Sequence, residues 1–525
     1  MNNKSIFFGG TIITMDDTQP TVEAVGIQGE RIDAVGTLEY VKTKMGATTE
    51  LIDLEGKTLL PGFIDSHLHP IVSIFFLIVP DLSDVIDIKE LENRLKDLIS
   101  DKDPNELIVA LRLPDMFFDN KLISRSKLDQ FCPIHPVFLL KRDGHSGMPN
   151  SKALQLVDLQ PESDIVIEDE LDLVLSAIKL PNPDEFGDIV SKFSLYLAKL
   201  GITSIHAFTE LDREGGASQL QGVEIPILKH IQNQILQNVS NFIFTKNPKK
   251  LKRLQKTPLH DDHKYGKFKI RGLKQYFDGV LNSSTAKMFE PFSGEKENTG
   301  IFLTEPETLY ERMKVAHNLG FQLAIHAIGD KANRLLVDLY KKLLTEYPRQ
   351  NHRHRIEHAY LLTQDVIKDM KQLGLVVSTQ PIISNWIDIY KDRLGVDRCG
   401  YLFPLNSLLS SGIPLAAGSD CPIDHPNPFI AIQDAVFREN FAPEEAISVH
   451  DALKMYTING AYAAFEEDVK GSIEEGKLAD LIILEKNPLT VPKDQLTDIH
   501  VLETIIRGKT VYTHKLSASL DLKFG

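Results

Sequence analysis

Between residues 201 and 417 the sequence switches repeatedly between two hydrophobic periods. Short apolar or β-branched runs fall at 201–208, 239–245, 268–277, 321–327, 354–359, 375–379 and 413–417. Stretches of helical periodicity separate the later runs, at 306–319, 330–347, 363–373 and 405–411, with Gly320 and Gly412 as stops. Counting an apolar run at 59–66 as the first, the series holds about eight strands. Strands and helices alternating in this way predict an α/β fold, a parallel (β/α)8 TIM barrel. The alternative is an open doubly wound sheet. No Gly-rich phosphate fingerprint follows the first strand, which counts against it.

Both chain ends have a different texture. Short β runs at 5–14, 23–28, 31–35 and 50–54 are separated by Gly-containing turns, and runs at 480–484 and 501–512 resemble them. Chain termini often lie close together, so these pieces are expected to pair into one small β domain. The expected division is 1–57 and 471–525 for that domain and 58–470 for the barrel. The stretch from His69 to Gly201 is too long for a single βα connection. It is read as an insertion, about 70–190, folding over the barrel mouth. It carries a helix at 89–99 and apolar β runs at 107–113 and 136–141.

Barrel sites sit at the C-terminal ends of the strands. The first strand ends in Pro61-Gly62-Phe63-Ile64-Asp65-Ser66-His67-Leu68-His69-Pro70. In a strand, side chains at i and i+2 point the same way, so His67 and His69 can face one metal ion. The triplet alone is weak, because the chain holds a second one, His352-Arg353-His354. Its context is stronger. Lys274 lies on the run 268–277, before Asp278-Gly279; His326 and His358 lie on two further runs, and Asp420 follows the last. Each has a plain alternative: core histidines, a surface lysine, a helix-capping aspartate. Those alternatives would all have to hold at once.

The net charge of −15 argues against a nucleic-acid surface. The longest apolar run, 71–79, is too short to span a bilayer. It could wall a pocket or pack in the core. Three scattered cysteines and no targeting stretch fit a reduced cytoplasm.

Together the sequence resembles the amidohydrolase superfamily, and within it the amidohydrolase 3 family, which includes N-substituted formamide deformylase-like enzymes. The motifs are 61–69, Asp143-Gly144-His145 with Asn150-Ser151-Lys152-Ala153-Leu154, Gly201-Ile202-Thr203-Ser204, 274–279, 324–330, Arg355-Ile356-Glu357-His358, Gly418-Ser419-Asp420 and 471–481. The resemblance implies a barrel with a β-sandwich built from both termini. It also implies a centre of two divalent ions. His67, His69 and Asp420 would hold one ion and His326 and His358 the other. Lys274, as N6-carboxylysine, would bridge them. The imidazole-rich set favours zinc, though manganese, iron or nickel suit the same ligands. The sequence departs from the family at Val280, Asn282 and Ser284, where Ser, Gly and Arg are usual. Substrate contacts are affected more than metal binding.

The implied chemistry is hydrolysis of a non-peptide C–N bond, in an amide or an N-formyl or N-acyl amine. Two ions roughly 3.5–4 Å apart share a hydroxide that attacks the carbonyl. Asp420 serves as general base and then acid. Asp278 and Glu357 are candidates to orient the imidazoles. Arg142, Asp143 and His145 are candidates for substrate contact. A deaminase or isomerase on the same fold, or a silent binding protein, are the alternatives. The expected partner is a small-molecule substrate, with no nucleic acid and no membrane, in a possible homodimer.

Overall fold

The computed structural model describes residues 4–114, 116–119, 121–141, 146–178, 183–211, 224–438 and 441–514. Eight strands form one sheet in strict chain order. They are β1 (Phe63–Leu68), β2 (Ile202–Glu210), β3 (Asn238–Phe244), β4 (Phe268–Tyr276), β5 (Gln322–Ala327), β6 (Arg355–His358), β7 (Val376–Thr379) and β8 (Leu415–Ala417). Every neighbouring pair is parallel. The predicted barrel is present. The first and last strands meet across a seam just beyond β8. There the Asp420 amide donates to the His67 carbonyl (2.7 Å), and the His69 amide donates to the Cys421 carbonyl (3.0 Å). Closing the barrel therefore presses residues 67–69 against 420–421.

The predicted first strand, 59–66, is two strands. Thr58–Pro61 pairs with Leu481–Leu484 and with Lys4–Ile13, in the sheet of the chain ends. Barrel strand β1 begins only at Phe63. Pro61 has no N–H to continue a ladder. At Gly62 the chain passes so close to Thr203 that a Cβ would sit 2.2 Å from its side chain.

The two chain ends do join. Strands from 4–61 pair with Leu481–Leu484, Val501–Ile506 and Lys509–Thr513 in one eight-stranded sheet. Phe7, Val25, Ile32, Ile473, Leu481 and Ile505 share one buried cluster. Between β1 and β2, four short strands form a separate sheet, with its own core around Leu91, Leu95, Phe117 and Leu139. The apolar run after His69 is a helix, Pro70–Ile78, whose Ile71, Ile74 and Phe75 are buried in the main core. No helix among the described residues is long and apolar enough to cross a membrane.

The second histidine triplet lies at the far end of the barrel, just before β6. The Leu323 amide donates to His354 Nδ1 (3.1 Å). That leaves Nε2–H to donate to His317 Nδ1 (2.8 Å), whose own Nε2–H meets the Tyr347 carbonyl (2.9 Å). His352 accepts from the His354 amide (3.0 Å) and donates to the Leu373 carbonyl (2.8 Å). Every ring nitrogen has a protein partner, so the triplet is structural.

Burial is the main force holding all three imidazoles below their ordinary pKa. Below about pH 6.5 the unfolded chain then binds more protons than the folded one. Stability is therefore full above that pH and lost as pH falls. The denaturation midpoint of metal-free protein is expected to drop between pH 7.5 and 5.5. A flat midpoint across that range would count against a neutral cluster.

Candidate metal centre

The seam of the barrel assembles the first group. Asp420 Oδ1 lies 3.2 Å from His69 Nε2 and 3.5 Å from His67 Nε2. One ligand atom from each of the three residues falls within 4.8 Å of the others. Asp65 braces this arrangement from below. Its carboxylate accepts from the His67 amide (3.0 Å), the Ser419 amide (3.1 Å) and the Ser419 hydroxyl (2.6 Å).

His67 is fully buried, and its orientation is defined. Its Nδ1–H donates to Glu357 Oε2 (2.7 Å). Nε2 is left buried, with no hydrogen-bond partner among the described residues. Glu357, one of the two candidates to orient an imidazole, accepts the hydrogen bond from Nδ1. Burial and the nearby cations hold the His67 imidazole well below its usual pKa. It is neutral at pH 7, as a metal ligand must be.

The second group comes from β4, β5 and β6. The rings of His326 and His358 are 4.4 Å apart, and His358 is 4.9 Å from His67. His358 donates Nδ1–H to Gln380 Oε1 (2.6 Å), which turns Nε2 toward the cavity. His326 Nε2 faces the Gly279 carbonyl at 3.1 Å. His358 (φ 71°) and Asp420 (φ 56°) both have left-handed backbones, a conformation for which His and Asp are enriched among non-glycine residues. Lys274 is buried, and its Nζ lies 4.4 Å from the Phe208 ring centre and 4.9 Å from that of Tyr276. The amine has no hydrogen-bond partner among the described residues. Burial brings its pKa down to about 8.

All six predicted residues line one cavity. A buried imidazole nitrogen and a buried amine without partners would each cost stability in an empty protein. The donor set is nitrogen and carboxylate oxygen, which suits zinc and related divalent ions. The residues present fit such a centre.

The other expected residues divide. Asp278 is buried and accepts from the amides of Ile328 (3.0 Å), Gly329 (2.9 Å) and Lys287 (2.8 Å). It shapes the loop after β5 and comes within 3.6 Å of His326 Nε2. Arg142, Asp143 and His145 lie outside the described residues. Trp386 lines the cavity with Tyr276, Tyr360 and Tyr390, and its Nε1–H donates to Asp424 (2.9 Å). Val72, from the run after His69, lines it too. Gln380 and Arg355 were missed as supporting residues. Arg355 was within reach, since it precedes Glu357 by two on one strand and so shares its face.

A parallel barrel with imidazoles, a lysine and a carboxylate at its strand ends defines a metal-dependent hydrolase. The sequence model of the Amidohydrolase family matches residues 50–512, and the chain belongs to that family. It is 31% identical to Protein LONG AFTER FAR-RED 3 of Arabidopsis thaliana, over 96% of this chain and 90% of the relative. It is 25% identical to N-substituted formamide deformylase of Arthrobacter pascens, over 97% and 98%. A crystal structure of an uncharacterized metal-dependent hydrolase from Pyrococcus horikoshii OT3 superposes with a TM-score of 0.75 at 26% identity, over 93% of this chain and 99% of that one.

Proposed function

We propose that this hydrolase cleaves a non-peptide C–N bond, in an amide or an N-formyl or N-acyl amine, at a centre of two zinc ions. The observation that carries the reading is a pair of buried nitrogens without a hydrogen-bond partner among the described residues, His67 Nε2 and Lys274 Nζ, in one cavity with His69, His326, His358 and Asp420. His67, His69 and Asp420 would hold one ion and His326 and His358 the other, with Lys274, as N6-carboxylysine, serving both. When bound, the ions supply Lewis acidity at the carbonyl and lower the pKa of water toward neutrality.

The protein's own groups do the rest. Asp420 accepts the proton of the attacking water at a carboxylate oxygen and passes it to the leaving nitrogen. Glu357 keeps His67 as its Nδ1–H tautomer, and Gln380 does the same for His358. The lowered pKa of Lys274 favours carboxylation, which needs the free amine. At a pKa of about 8 roughly a tenth of the lysine is neutral at pH 7, against roughly 0.03% at 10.5. Tyr276, Tyr360, Trp386 and Tyr390 give the substrate an apolar wall. Similarity to the formamide deformylase supports the bond class. The same reading keeps the division into a barrel and a terminal β domain built from the N-terminal residues and 471–525, with the expected 57/58 boundary moved past Thr58–Pro61, which pairs in the terminal sheet. It includes a homodimer and a cytoplasmic location, the latter supported by three free, buried cysteines.

The test is metal content per chain after chelator-free purification, with a substrate panel of N-formyl and N-acyl amines, cyclic imides and aminopyrimidines. Near two ions and release of an amine are expected. About one ion with ammonia release would make it a deaminase. No metal after reconstitution, and no turnover, would leave a silent binding protein.

A further inference from the structure

We infer that Arg355 is a positioning residue that, through Glu357, holds His67 in the ring orientation and tautomer that present an unprotonated Nε2 to the metal cavity. The inference rests on the reading of His67 as a metal ligand. Arg355 is among the largest fully buried side chains of the molecule. Its Nε–H donates to Glu357 Oε1 (2.7 Å) and its Nη2 to Glu357 Oε2 (2.8 Å), a fork that grips both carboxylate oxygens. Nη2 also donates to the carbonyl of Ser66 (2.7 Å), the residue before His67. Nη1 donates to His206 Nδ1 on β2 (2.9 Å), and the guanidinium lies 4.6 Å from the Phe242 ring centre on β3. One side chain from β6 thus crosses the barrel interior to β1, β2 and β3.

The effect on His67 follows from what else holds the ring. His67 stacks on Phe208, with ring centres 4.0 Å apart and planes 26° apart. Stacking fixes a plane but does not distinguish the ring from its 180° flip, which exchanges Nδ1 with Cδ2 and Nε2 with Cε1, and it does not choose the tautomer. The hydrogen bond to Glu357 makes that distinction. A glutamate has several rotatable bonds, so its carboxylate needs an anchor of its own. The Arg355 fork is that anchor. A lysine would keep the charge but could not grip both oxygens.

The test uses R355Q, R355K, E357Q and the double variant R355Q/E357Q in the full chain. In metal-free protein labelled with 15N-histidine, His67 is expected as one Nδ1–H tautomer in the wild type and as a mixture in R355Q. Zinc affinity, from chelator competition, is expected to fall about 10–100-fold in R355Q. R355K should fall between R355Q and wild type. The double variant should be no worse than E357Q, because Arg355 acts through Glu357. A folded R355Q with wild-type tautomer and affinity overturns the inference, and so do losses that add in the double variant. R355Q alone, by stranding a buried carboxylate, can fail to accumulate. The double variant then decides: recovery of the fold with the affinity of E357Q supports the inference, and continued misfolding overturns it. A wild type that binds no zinc defeats the proposed function, while the tautomer comparison still decides this inference.

Discussion

Asp420→Asn is expected to lower kcat for an amide substrate about 10²–10⁴-fold, the usual contribution of a general acid–base group. The substitution isolates the proton-carrying role. Asparagine matches aspartate in shape and is one of the few residues that accept a left-handed backbone, which Asp420 adopts at φ 56°. The seam across the barrel is made by main-chain groups, the Asp420 amide on the His67 carbonyl among them, so it survives the change. What disappears is a carboxylate oxygen 3.2 Å from His69 Nε2 and 3.5 Å from His67 Nε2. Zinc content should be retained under excess metal, because His67 and His69 remain. The measurement is kcat on metal-saturated protein, with zinc determined on the same sample. A kcat within about tenfold of wild type would reduce Asp420 to a ligand and move proton transfer to another group.

Much of this cavity's lining is legible in the sequence, and the reason is the barrel itself. Once eight strands are counted, chemistry must sit where they end, and six residues at strand ends converge. His352 and His354 show the limit of motif reading. They repeat the spacing of His67 and His69, but they precede β6 and so fall at the opposite end. Spacing alone could not separate the two triplets; position along the strand does. Long-range partners were harder. Gln380 is 22 residues from His358 and Glu357 is 290 from His67, so no local pattern links them. The break at Pro61-Gly62 was hidden because both sides of it are apolar. The helix Leu38–Met45 was missed among β runs, because its start depends on one Thr37 side chain capping the Tyr40 amide.

Lys274→Met is expected to move stability and function in opposite directions. Methionine matches the lysine in length and apolar stem, and it removes an amine that Phe208 and Tyr276 enclose. In metal-free wild type that amine is costly. Its pKa falls from 10.5 to about 8 on folding, so at pH 7 the unfolded chain holds the proton more tightly. The difference is worth about 3 kcal/mol, carried by the folded state at any pH below 8. The cost fades as pH rises from about 8 to 10.5, where the unfolded chain also gives up its proton. Metal-free Lys274→Met should therefore resist urea better than wild type at pH 7, and the gap should close at high pH. With the bridge gone, bound metal should fall from near two ions to one or none, and turnover should be lost. A variant no more stable than wild type would mean the amine is solvated or paired in solution. A variant that keeps two ions and its activity would remove Lys274 from the centre. If both expectations hold, the protein keeps a destabilising buried lysine because its metal centre requires it.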